Sequence, residues 1–160
     1  MLPCARRGAI AGLLELLKDR GGKDSVYRVA EALRIGTDDL LPIVEAAVLL
    51  NFAKSGWGDI EITPEGKAFA EADITQRKKT FRDASIAHVN LLRQMHSALS
   101  SKADHKLPLE LFRDIMREYL PESEVKRQVE TALNWGRYGD LFTYDSDTDR
   151  LLHSFPRARR

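Results

Sequence analysis

The sequence holds one cysteine, Cys4, so no disulfide can close within the chain and no cysteine-rich zinc module can form. A reducing compartment, by default the cytosol, is the expected setting. A surplus of one charge is lacking too. Lys and Arg number 25 against 24 Asp and Glu, for a formal net charge of +1, and this offers none of the basic excess that draws proteins to nucleic acid or anionic membranes. No apolar run approaches the roughly 20 residues that span a bilayer. "MLPCARRGAIAGLLELL" is broken by charge where a secretion signal would stay apolar, so neither direct membrane insertion nor export is predicted. Also missing is any G-x-x-x-x-G-K-[ST] segment, and with it a loop that could cradle ATP phosphates.

The 160 residues, 43% apolar and 31% charged, suffice for one ordinary domain or two very small ones. "GAIAGLLELLKDRGG" sets Ile10, Leu13, Leu14 and Leu17 on one helical stripe that ends at Gly21-Gly22. Asp24 or Ser25 is placed to cap "SVYRVAEALRI", with Val26, Val29, Ala30 and Leu33 inward and Gly36 closing it. Asp39 is expected to cap "LLPIVEAAVLLNF", which leaves Pro42 in the first turn, where its missing N–H costs no helical bond. "FAKSGWGDIEIT" reads as a hairpin with Gly56 and Gly58 turning around Trp57. Thr63 then caps, and Pro64 opens, a helix that ends near Asp73.

One long amphipathic helix is predicted from about Thr75 to Ser101, with Phe81, Ser85, His88, Leu92, Met95 and Leu99 in its stripe. The pattern of the first half then returns. "LPLELFRDIMREYL" and "PESEVKRQVETALNWGRYG" read as helices, and "LFTYDSDTDRLLHS" as a hairpin with an acidic turn. Both halves carry a helix with Val-Glu-x-Ala followed by a two-stranded wing, which points to duplication or to one structural solution used twice. The expected fold is mainly α with small β-hairpins: two winged helix-turn-helix units in tandem, residues 1–73 and 74–160, packed as one structural domain and sharing the long helix.

The stretches "DDLLPIVEAAVLLNFA", "DIEITPEGKAFAEADITQRKKTF" and "ALNWGRYGDLFTYDSDT" resemble the AAA-associated C-terminal domain found behind the ATPase domain in ABC transporter subunits of the nitrate, sulfonate and taurine importer type. The resemblance covers about Gly8 to His153. It departs from the family at Asn51, where a glycine is expected; Asn is the next best residue for a left-handed helix cap. It implies a non-catalytic regulatory domain with an ABC ATPase domain in cis, and transporter subunits, as partners. It also implies a cytoplasmic place at the inner membrane. With no P-loop, ATP binding does not carry over, and no cofactor or catalytic residue is expected.

Winged helices commonly grip DNA, so that reading needs weighing. The third helix of the first unit presents Asp38, Pro42, Glu45 and Leu49 and has no cation from Thr37 to Ala53, which phosphates would repel. The second unit offers Arg127, Glu130, Thr131, Asn134 and Arg137, yet the adjacent "DSDTD" tip adds carboxylates where a phosphate contact belongs. The basic groups "QRKK", Arg82 and "RARR" read as solvated faces and ends. Asp145, Asp147 and Asp149 occupy the first ligand positions of a calcium loop, but Arg150 stands for its glycine and Pro156 for its glutamate. His88 and His96 are eight residues apart, too far for a one-turn chelating pair. His88 is expected to be a hydrogen-bonded core histidine, and Cys4 has no base to activate it.

The remaining signal is a surface for protein, with Glu45, Leu49, Trp57, Arg127, Asn134 and Arg137 as candidate contacts. Trp57 could instead fold back on its own hairpin. Two further readings stay open: a winged-helix transcription regulator, and a small-ligand sensor using the groove between the units. A homodimer is a further candidate assembly.

Overall fold

In the computed structural model of the protein, residues 2–153 are described. The apolar stripe of the first segment winds as α1 (Arg7–Asp19) and places Ile10, Leu13, Leu14 and Leu17 entirely in the interior. Gly21 and Gly22, at φ +83° and +95°, turn the chain into a strand that the periodicity does not show, β1 (Lys23–Ser25). It is too short for alternation to register. Ser25 caps α2 (Val26–Leu33), its hydroxyl accepting the Arg28 N–H at 3.2 Å.

Two helix ends differ from expectation. Arg34 takes the left-handed position after α2, at φ 58°, and Gly36 instead precedes α3 (Thr37–Leu49) as its N-cap. Asp38 and Asp39 therefore lie in the first turn of α3, where carboxylates oppose the helix dipole. Pro42 falls inside the helix, so the Asp38 carbonyl four residues back loses its intrahelical donor. Next come β2 (Ala53–Gly56), β3 (Asp59–Ile62) and α4 (Pro64–Glu71). At the start of α4 the Thr63 hydroxyl accepts the Gly66 N–H at 3.0 Å and donates to the Asn51 carbonyl at 2.7 Å. Gly66 must lack a side chain, because a Cβ there would sit 2.0 Å from the Phe52 carbonyl oxygen. The Thr-Pro-Glu-Gly start is thus a cap, a pre-set φ and a close approach in sequence.

The predicted long helix is two helices, α5 (Ile74–His88) and α6 (Asn90–Ser101), broken at Val89 with φ −110° and ψ 98°. Neither proline nor glycine marks the break. Arg93 supports it from the next turn, its guanidinium donating to the carbonyls of Ile86 and Ala87 and to the Asn90 side chain. The bend turns Val89 into the core and leaves His88 exposed. His88 is therefore not a core histidine.

β4 (Lys106–Pro108), α7 (Leu109–Arg117), α8 (Glu122–Tyr138), β5 (Phe142–Asp145) and β6 (Arg150–His153) complete the described chain. The fold is mainly helical, with two three-stranded antiparallel sheets ordered β1-β3-β2 and β4-β6-β5. The order helix, strand, helix, helix, strand, strand occurs twice. α3 and α8 also end alike: Asn51 and Asp140 sit at φ 62° and 54°, and the Phe52 and Leu141 amides reach back to the Ala47 and Gly136 carbonyls at 2.8 and 2.9 Å. Val44 and Ala47 on α3, and Val129 and Ala132 on α8, are buried.

One apolar core runs through both halves. An aromatic chain marks the join: Phe52 stacks on Phe69 at 5.0 Å, Phe69 meets Phe81 at 6.2 Å, and Phe81 meets Trp135 edge-on at 5.7 Å.

Candidate functional site

The first candidate surface is the β2–β3 tip and the outer face of α3. A two-residue turn joins the strands, Trp57 at φ 54° and Gly58 at φ 79°, the positive pair that favours Asn-Gly. Gly56 belongs to the strand. Trp57 is 104% exposed, so it does not fold back on its hairpin, and Tyr27, one residue after the Val26 amide that bonds the Gly58 carbonyl, is 78% exposed. On α3 the solvent face is Asp38, Leu41, Glu45 and Val48. Leu49 is half-buried and turned toward Leu2, Val89 and Gln128. Leu41 and Val48, missed from the sequence, are the exposed apolar pair, in place of Pro42 and Leu49, which are half-buried.

The second surface is α8 with the segment Leu2–Arg6 laid across it. Gln128, buried, donates from Nε2 to the Leu2 carbonyl at 2.7 Å and accepts the Leu2 N–H on Oε1 at 2.8 Å. The Trp135 indole N–H donates to the Ala5 carbonyl at 2.7 Å, and Asn134 Oδ1 accepts the Arg7 N–H at 3.0 Å. The Arg7 guanidinium lies 4.3 Å from the Tyr138 ring centre. Thr131, expected outward, is buried and donates to the Arg127 carbonyl. Exposed Arg127 and Arg137, with half-buried Asn134, line a cleft of about 400 Å³ together with Cys4 and Arg6. Three of the residues singled out from the sequence thus meet at one place, beside a segment whose packing no local pattern predicts.

At the second hairpin the three Asp side chains do not converge. Asp149 is held by Arg113 at 2.5 and 3.1 Å and by the Tyr144 hydroxyl at 2.6 Å, which keep its carboxyl below the usual range. Asp145 closes its own turn through the Asp147 N–H and the Thr148 hydroxyl. Among the described residues no group of His, Cys, Asp or Glu is arranged to hold a metal ion.

A third cluster was not legible. His96 on α6, His105 before β4 and His153 on β6 bring their rings to 5.1 and 5.5 Å centre to centre. Burial, then neighbouring imidazole and Arg82 charge, push His96 and His153 below the ordinary histidine range. A further apolar stripe, Leu111, Ile115 and Tyr119, is exposed along α7 and just beyond it. No described helix is long and apolar enough to cross a membrane.

Among known families, the C-terminal AAA-associated domain matches residues 27–145, from α2 into β5. The chain belongs to that family. C-terminal AAA-associated domains are accessory parts of ABC-type ATPases and are not themselves the catalytic ATPase domain. No curated protein and no solved structure matches the chain.

Proposed function

We propose that this C-terminal AAA-associated domain is a regulatory docking module of an ABC importer ATPase subunit, cytoplasmic at the inner membrane, built of two winged helix-turn-helix units. The repeated element order and the β1-β3-β2 and β4-β6-β5 sheets support the winged-helix description. Trp57 carries the functional reading. A bulky residue at positive φ strains the backbone, and full exposure gives it no burial in return. The fold gains nothing from Trp57, whereas a partner surface gains a large aromatic anchor. Tyr27, beside the Val26–Gly58 bond, is exposed near it, and Leu41 and Val48 are a further exposed apolar pair on α3. The partner proposed is the ATPase domain in cis, whose tethering makes a weak contact sufficient to bias its open and closed states.

The DNA reading is disfavoured on both units. α3 carries Asp38 and Glu45 outward, and α8 is covered by Leu2–Arg6 where it would have to enter a groove. Fluorescence anisotropy with a mixed-sequence duplex at physiological salt should show no saturable micromolar binding.

The docking test uses the full ATPase subunit with a photo-crosslinking residue at position 57. Crosslinks should map to the ATPase domain. Trp57→Ser should alter ATPase regulation while leaving unfolding of the accessory domain unchanged. Absence of crosslinks to that domain, together with wild-type regulation in Trp57→Ser, overturns the proposal.

A further inference from the structure

We propose that the cleft between Leu2–Arg6 and α8 binds a small polyanion, with two closely spaced phosphate or carboxylate groups, and that binding fastens the amino-terminal segment to the second half of the domain. Arg6 reaches the cleft from the segment, Arg127 and Arg137 from α8, and Glu130 is the only acidic residue in the lining. Three positive charges and one negative leave a local charge of +2 in a protein whose total is +1. None of the three guanidiniums forms an ion pair among the described residues. Arg20, Arg77, Arg113 and Arg117 are held by carboxylates, so unlike these the three cleft guanidiniums keep their charge for a ligand.

The backbone adds a second, independent attraction. Arg6 is the N-cap of the 13-residue α1, which has no acidic residue in its first turn and no side-chain cap. Its positive dipole end therefore meets no capping carboxylate at the cleft, only the neutral Asn134 oxygen on the Arg7 N–H. Asn134, which accepts the Arg7 N–H on Oδ1, also lines the cleft and keeps its amide donors unspent among the described residues. Fork-shaped guanidiniums match phosphate and carboxylate oxygens in pairs, and about 400 Å³ lies within the size range of small-molecule sites.

A ligand here bridges Arg6 to Arg127 and Arg137, tightening the contact that Gln128 and Trp135 already make with Leu2 and Ala5. The prediction is separate from docking at Trp57, which lies on the other half of the fold, and each can fail without the other.

The test is calorimetric titration of the chain with pyrophosphate and, separately, citrate at physiological ionic strength, with hydrogen exchange at Leu2–Arg7 as a second readout. Either probe should bind saturably with a dissociation constant below about 1 mM and slow exchange in that segment; which one binds identifies the ligand as phosphate or carboxylate. The double substitution Arg127→Ala and Arg137→Ala, at exposed positions that leave folding intact, should weaken binding at least about tenfold, and Glu130→Gln should strengthen it. Failure of both probes to bind, or equal binding by the double variant, overturns the proposal.

Discussion

Gln128 and Leu2 exchange two hydrogen bonds through a buried side-chain amide, 126 residues apart in sequence. A glutamine that satisfies both backbone groups of one distant residue acts as a replacement for a strand partner. The amino-terminal segment is thereby fixed without any regular structure of its own. Gln128→Ala would leave the Leu2 N–H and carbonyl buried and unpaired, at about 1–3 kcal/mol for such groups. Urea unfolding should show that loss, and hydrogen exchange should show Leu2–Ala5 opening ahead of the core. A variant with wild-type protection there would contradict the clasp.

Gly66→Ala should be among the costliest single-methyl insertions in the chain. The added Cβ meets the Phe52 carbonyl at 2.0 Å, a backbone atom that cannot swing aside. The expected loss is at or above the top of the roughly 1–3 kcal/mol typical of overpacking. Thermal denaturation of Gly66→Ala beside Gly12→Ala is the check, since a Cβ at Gly12 meets nothing within 4 Å. Similar melting of the two variants would contradict the close approach of α4 to Phe52.

Leu92→Ala probes whether the halves unfold as one. Leu92 on α6 is fully buried in a core continuous from α1 to β6. Truncation should cost about 2–5 kcal/mol, as buried leucines do, and lower one calorimetric transition by several degrees. Two separate transitions would mean that residues 1–73 and 74–160 fold independently.

His96 and His153 make stability pH-dependent. His96 and His153 titrate lower in the folded protein than their ordinary value near 6.5, because burial and Arg82 disfavour the imidazolium. Between the folded and unfolded values the unfolded chain binds more protons, so stability is complete above about pH 6.5 and falls as the pH drops. Below the folded values the decline from these groups stops. Urea midpoints between pH 7.5 and 5.5 should fall less in His96→Leu than in the wild type. Superimposable profiles would remove His96 as a source of the effect.

Much of the fold was legible because its signals are local. Ile10, Leu13, Leu14 and Leu17 announce α1 by spacing alone, and Thr63-Pro64 announces α4 by cap chemistry. The Val-Glu-x-Ala likeness of α3 and α8 is matched by the same left-handed ending at Asn51 and Asp140. Other features were hidden. β1 and β4 have three residues each and exist through pairing with β3 and β6. The break at Val89 is bridged by a guanidinium one turn further on, and the exposed face of α3 is set by the tertiary packing that buries Leu40, Val44 and Ala47.

The sequence by itself determined most of the helices, both hairpins, the apolar stripe that α1 buries, and that no P-loop motif is present. Periodicity, caps and motifs are properties of neighbouring residues, so they survive without a fold. Only the tertiary structure decided that Leu2–Arg6 lies on α8, that three arginines share a cleft, and that three histidines touch. These arrangements join residues as many as 130 positions apart, as in the Trp135–Ala5 bond, and such pairs are brought together by burial of the common core, which leaves no trace in the spacing of the chain.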